Sequence, residues 1–292
     1  MTRFSVNILI LTLMCMYSVS AQTQLQYRLN IGDSITILQH AQQNIIQSDQ
    51  GAEHKILNDL EENYTFKVSS KTDSTYIFTF NFNQFKLKTT SNKFGVMLDV
   101  DTNKPALEGD TEGKIFGGLT QSKLTIEMSR SGEILKISGT DDMIRNMIDL
   151  ADIHDEFTKQ LMIESMKSEF GSASLSKSFE QLTHIYPKQK VNVGDTWTNT
   201  FTGDINSDNT WTLEKITDTI FLNAKSTLSM IIEDEHSNLL LKGKQNIAVK
   251  ANKKTGFINE MTVSAEAASV NTPGQPEITP TKITSITTYK IK

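Results

Sequence analysis

The sequence predicts an α+β protein, mainly antiparallel β, with two related curved sheets or half-barrels from an internal duplication, bridged by helices at about 140–186. Three observations carry this. Aromatic and β-branched residues alternate with polar ones from Tyr64 to Phe82. The stretch Asn30-Ile31-Gly32-Asp33-Ser34-Ile35-Thr36 recurs as Asn192-Val193-Gly194-Asp195-Thr196-Trp197-Thr198. Between the two copies, apolar residues change to spacings of three and four.

In chain order, residues 1–21 read as a signal peptide. Arg3 supplies the positive start, Phe4 to Val19 the apolar stretch, and Val19-Ser20-Ala21 a cleavage site before Gln22. This addresses the protein to the periplasm or the exterior. Lipid attachment at Cys15 is the alternative, but Leu13 and Met14 stand where a small residue should precede that cut. Residues 22–139 form the first β-rich half. Tyr64, Phe66 and Val68 make one buried face, and after a turn at Lys71–Ser74, Tyr76, Phe78, Phe80 and Phe82 make the next. Leu124, Ile126 and Met128 lead through Ser131-Gly132 to Ile134 and Ile137, a hairpin with glycine at the turn.

Residues 140–186 are the helical bridge. Thr140 is the expected cap, with Asp141 and Asp142 in the first turn. One apolar stripe runs Met143, Met147, Leu150, Phe157, Leu161, and a second runs Met162, Met166, Phe170. After Gly171-Ser172, a shorter helix carries Leu175, Phe179, Leu182 and Ile185 and stops before Pro187. Residues 187–292 are the second β-rich half, with strands at Trp211–Ile216, Ile220–Met230 and Leu239–Val249. A turn follows at Lys254-Thr255-Gly256, then a proline loop (Pro273, Pro276, Pro280) and a last alternating strand from Ile283 to Ile291.

Composition excludes several functions. With 29 basic against 34 acidic residues, the chain lacks the clustered cations that nucleic acid needs. One cysteine makes no internal disulfide and no thiolate cage. No apolar run after the leader approaches a membrane span.

Each candidate site also has a plain structural reading. Ser174-Leu175-Ser176-Lys177, Ser207-Asp208-Asn209 and Lys254-Thr255-Gly256 reproduce in order the motifs of penicillin-recognising serine acyl-enzymes, with Ser174 as nucleophile and Lys177 as base. The short gap between the first two leaves no room for the helical domain of such enzymes, and coincident turn residues are the simpler reading. Asp99, Asp101, Asn103 and Asp110, and Asp204, Asn206, Asp208 and Asn209, place oxygens as a calcium loop would. Neither has the glycine and bidentate acid such a loop requires. Asp149, Asp152, Asp155 and Glu156 near His154 read as a solvated acidic stripe. Glu233-Asp234-Glu235-His236 reads as a loop, and His40, His54 and His184 are scattered. No metal, cofactor or catalytic residue is assigned.

The methionines suggest more. Met143, Met147, Met162 and Met166 lie in one helical segment, where a flexible thioether either fills gaps between helix and sheet or forms the lid of an adaptable apolar site. On the second reading Met143, Met147, Phe157 and Leu161 face Phe78, Phe80 and Phe82 across a ligand.

The segment Tyr186-Pro187 to Val191-Asn192-Val193-Gly194-Asp195-Thr196-Trp197, paired with the early Gly-Asp strand, resembles an uncharacterised family of exported Bacteroidota proteins with a P…V-x-V-G-D-x-W core. That family has no established reaction to carry over. The layout is also similar to the lipoprotein-carrier superfamily of half-barrels with helices over the concave face. The resulting expectation is a non-enzymatic envelope protein that binds a lipid, another hydrophobic ligand or an envelope partner.

Overall fold

The computed structural model describes residues 22–292 except 50, 204, 235–236 and 272–278. The leader with Cys15, and Asp204, Glu235, His236, Pro273 and Pro276, lie outside the described residues. The chain is α+β and mainly antiparallel β. Its strands are β1 (Ser34–Asp49), β2 (Ala52–Lys71), β3 (Thr75–Ser91), β4 (Gly95–Asp101), β5 (Leu124–Ser129) and β6 (Ile134–Ser138), then β7 (Thr196–Phe201), β8 (Ile205–Ile216), β9 (Thr219–Asp234), β10 (Ser237–Asn252), β11 (Ile258–Ser269) and β12 (Thr281–Ile291). The helices among the described residues are α1 (Thr111–Thr120), α2 (Thr140–Asp149), α3 (Glu156–Phe170) and α4 (Ser172–Thr183).

The two curved sheets expected of the two halves are joined as one. Its order is β6-β5-β3-β2-β1-β12-β11-β10-β9-β8-β7, with β4 on β3, and the seam is the antiparallel pairing of β1 with β12. It does not close, because β6 and β7 are edges. The curvature is strong. Phe66 on β2 and Phe257 at the start of β11 are separated by β1 and β12, about 14 Å in a flat sheet, yet their ring centroids are 6.4 Å apart.

The two Gly-Asp sequences fold alike. Gly32 and Gly194 both have φ 93°, and Asp33 and Asp195 each accept from the backbone of the residue three before, Asn30 and Asn192, at 2.8 Å. Each glycine N–H then donates to the end of the next strand, to Val68 at 2.9 Å and Leu213 at 2.7 Å. The hairpin glycines Gly132 and Gly256 also correspond. Both turns rest on the extended segment Leu25–Leu29, where Tyr27 N–H donates to Arg130 and Arg28 N–H to Thr255.

At this end the concave face is filled. Phe66, Phe78 and Phe80 meet Phe179 of α4 or each other with centroids 4.9–5.7 Å apart, and Tyr27, Tyr186 and Phe257 extend the cluster. Helix α4 packs on the edge strand β6, touches the other edge β7, and so sits in the gap of the open sheet.

The helical stripe differs from expectation in two ways. The cap of α2 is Gly139 at φ 96°, with Thr140 already inside the helix and buried. The run from Met143 to Leu161 is not one helix. It ends at Leu150, and Asp152 at φ 56° turns the chain before Asp155 caps α3 through Thr158 N–H at 2.7 Å. Helix α1 was not expected. Three glycines weaken its intrinsic tendency, and Asp110 starts it by accepting from Gly113 N–H at 2.8 Å. Gly118 is needed there, since a β-carbon would press on the Met147 backbone where α1 crosses α2. Asp110→Ala should lower stability by about 1 kcal/mol in urea unfolding.

Candidate ligand trough

Side chains directly opposite in antiparallel strands share a face, so the register gives the lining of the concave side row by row. Along β1, Ile35 and Ile37 are buried, but Gln39, Ala41, Gln43, Ile45 and Gln47 on the same face are only half-buried. On β2, buried Val68, Phe66 and Tyr64 give way to half-buried Glu62, Leu60, Asn58 and Ile56. On β11 the change falls between Met261 and Val263, and on β10 between Ile247 and Gln245. The helices pack chiefly on β3, β4, β6 and β7 and on one another. The central strands therefore carry a trough on which no described helix chiefly packs, from Gln39 to Gln47 about 27 Å long at the usual strand rise. It is open along its middle and covered at its far end, where Leu241, Thr281 and Ile283 are buried.

Its floor is banded. One row, Leu87–Leu60–Ala41–Thr287–Val263–Ile247, is mostly apolar. The next, Thr89–Asn58–Gln43–Ser285–Ala265–Gln245–Ser226–Asn209–Asn199, crosses from β3 to β7 and is polar apart from Ala265. Its ends are tied by hydrogen bonds. Thr89 donates to Asn58 at 2.9 Å and Asn58 to Gln43 at 2.9 Å, while Ser226 donates to Asn209 at 2.5 Å and Asn209 to Asn199 at 3.0 Å. Beyond it lies Ile56–Ile45–Ile283–Ala267–Gly243–Leu228, apolar again with small residues at the centre.

Where trough and aromatic core meet, one row reads Phe85–Glu62–Gln39–Tyr289–Met261. Tyr64 donates to Gln39 Oε1 at 3.1 Å. Among the described residues nothing pairs with the Glu62 carboxylate, and burial alone raises its pKa to about 7. Burial, with the Glu62 charge, also holds the Tyr289 phenol well above its ordinary value.

The ligand residues expected from sequence are not brought together. Phe78 and Phe80 are 0% exposed and Phe82 is buried with them in the aromatic core. Met143 and Met147 are buried in the core cluster, with Met147 against Gly118 of α1. Phe157 and Leu161 stand on α3, 72% and 56% exposed, and that helix buries no residue completely. Its second row, Met162, Met166 and Phe170, is what leans on the core.

The cleft that holds Ser174 and Lys177 is lined by no residue of the other two acyl-enzyme motifs. Ser174 and Lys177 share a cleft of about 400 Å³ with Glu169, Thr200 and Gly203, but the Ser174 hydroxyl donates to the Ser168 carbonyl at 2.6 Å. Asn209 is in the polar row, and Gly256 lies under Gln26 and accepts from Tyr186. The oxygens of the calcium-like loops have other partners. Asp99 pairs with Lys88 at 3.1 Å, Asp101 with Lys104 at 3.3 Å, Asp110 caps α1, and Asp208 accepts from Thr200. In the acidic stripe, Asp149 pairs with Lys159 and Asp152 with Lys114. No group of three or more potential metal ligands occurs among the described residues.

An open, curved antiparallel sheet, filled at one end by aromatics and helices and unfilled along its centre, defines the class of this protein. The chain belongs to a family of unknown function (DUF6263), which it matches over residues 73–258, more than half its length. Among solved structures it is similar to lipovitellin, described for its lipid–protein interactions. The identity is 12% and the TM-score 0.52, over 91% of this chain and 25% of lipovitellin, so this chain spans a quarter of that protein. An outer membrane channel from Pseudomonas putida F1 aligns at 9% identity over 91% of this chain and 97% of the channel, with a TM-score of 0.27. No curated protein matches by sequence. No helix among the described residues is long and apolar enough to cross a membrane.

Proposed function

We propose that this chain is an exported, non-catalytic envelope protein that holds an apolar ligand in the concave trough. The observation that carries the reading is the floor itself. Ile45, Ile56, Leu60, Val263 and Leu228 occupy positions a closed core would bury, yet all stay half-exposed on a surface away from the main packing of the described helices. Apolar surface left in water costs about 25 cal/mol per Å², so an apolar chain laid along these rows gains what folding did not supply. The small residues at the centre, Ala41, Ala267 and Gly243, leave room for it. The lipid–protein interactions of lipovitellin make a lipid the first ligand to test. Export rests on the leader to Ala21. The division into halves 22–139 and 187–292 around a bridge at 140–186 belongs to the same proposal, and the matched Gly-Asp turns support it.

Mass spectrometry of organic extracts from the purified chain should find a co-purified lipid or similar amphiphile. Ala41→Trp with Ala267→Trp should fill the trough and reduce ligand occupancy at least tenfold while urea unfolding stays cooperative. A clean extract, with no binding of added lipid, would leave a structural or protein-contact role.

A further inference from the structure

The boundary row of the trough carries a group that packing does not explain. Glu62 sits on the concave face between Leu60 and Tyr64, opposite Gln39 on β1 and Phe85 on β3, with Tyr289 of β12 in the same row. A half-buried carboxylate beside aromatic rings is normally paired with a cation, several donors or water. Here the groups facing it are Tyr64 and Tyr289, both phenols held in the protonated form, together with the amide of Gln39 and the ring of Phe85. Gln39 Oε1 is occupied by the Tyr64 hydroxyl. What remains toward the trough is the Glu62 carboxylate, a negative charge beside the Tyr289 hydroxyl and the Gln39 amide N–H groups, which are neutral. On the neighbouring strand β3, Lys86 pairs at 2.7 Å with Glu61, whose side chain is on the opposite face.

This arrangement suits one kind of head group. An anionic head would meet a carboxylate with no compensating cation. A protonated amine would supply the missing charge and three donors to the oxygens around it. From Glu62 the floor runs through the apolar row at Leu60, across the polar row at Asn58, to the apolar row at Ile56, about 20 Å along β2 at the usual rise. That exceeds the roughly 15 Å of one bilayer leaflet.

We propose that Glu62, with Tyr289 and Tyr64 beside it, anchors the protonated amine of an amphiphile whose alkyl chain lies along the trough. This rests on the reading of the trough as an apolar-ligand site, and names the chemistry of its ligand. Ligands of the wrong sign are rejected by the same carboxylate.

The test uses three probes of equal chain length, dodecylamine, dodecanol and dodecanoate, titrated calorimetrically into the chain at pH 8. Dodecylamine should bind at least tenfold tighter than dodecanoate, with dodecanol between them. Glu62→Gln should abolish the preference for the amine and leave dodecanol unchanged, whereas Glu61→Gln on the outer face should alter nothing. Because protonation of Glu62 removes the attraction, amine affinity should fall severalfold between pH 8 and pH 6, and dodecanol affinity should not. Dodecanoate binding as tightly as the amine, or an amine preference that survives Glu62→Gln, overturns the proposal and leaves the trough reading standing. Failure of all three probes to bind overturns both.

Discussion

Gly132→Ala should be the most damaging small substitution in the chain, costing about 4 kcal/mol or preventing folding altogether. Two effects add. Gly132 has φ 96°, where an L side chain costs about 1–2 kcal/mol. The new β-carbon would also overlap the Thr183 carbonyl oxygen and press on the Tyr27 ring. That carbonyl accepts from the Tyr27 hydroxyl at 2.8 Å, and Thr183 Oγ1 donates to the Gly132 carbonyl at 2.6 Å. A shift that relieves the overlap therefore breaks the lock between the β5–β6 hairpin, the N-terminal segment and the end of α4. The control is Gly194→Ala, at almost the same φ but with nothing within 4 Å of the added carbon. It should cost only the backbone share, about 1–2 kcal/mol. Urea midpoints compared at constant slope distinguish the two, and equal losses would show that conformation rather than close packing governs these turns.

Glu62→Gln should stabilise the protein in a strongly pH-dependent way. A carboxyl whose pKa rises from 4.5 unfolded to about 7 folded binds its proton more tightly in the native state. Its contribution to stability is whole below pH 4.5 and is lost as pH rises to about 7 and beyond. The loss is roughly 3 kcal/mol once both states are ionised. Glutamine keeps the shape without the charge. The variant should therefore exceed the parent by roughly 3 kcal/mol at pH 8 and by little at pH 4.5. Denaturant unfolding at the two pH values measures this, and a pH-independent difference would mean that Glu62 has a partner or more water than its surroundings suggest.

The legibility of this fold in its sequence follows from what each face touches. From Tyr76 to Phe82 every second residue enters the aromatic core, so period two is plain. Strand β1 is equally long and regular, yet its inward side past Ile37 reads Gln39, Ala41, Gln43, Ile45, Gln47. Its inner face past Ile37 shows no apolar alternation because it lines a trough instead of a core. The polar row gives the trough floor no apolar pattern that sequence alone reports. Aromatics and methionines mark the packed end, whereas the exposed floor is made of amides, alanines and isolated aliphatics. The stripe through Met143 and Leu161 was misleading for another reason. Spacing continues across Leu150–Asp155 by coincidence of period, and only the positive φ at Asp152, which no apolar pattern reports, separates the buried α2 from the exposed face of α3.

The seam between β1 and β12 also bears on folding kinetics. Its partners are more than 230 residues apart, while the other neighbours in the sheet are mostly hairpins closed over short loops. Loop-closure entropy makes such a pairing late, after local hairpins and helices have formed. Gln43 and Ser285 face each other across that seam in the middle of the trough floor. A chain arrested before this step would own two sheets with their aromatic clusters begun and no receptacle between them. Under the proposed ligand role, uptake should consequently lag the recovery of far-ultraviolet dichroism during refolding, making occupancy a reporter of the final long-range step.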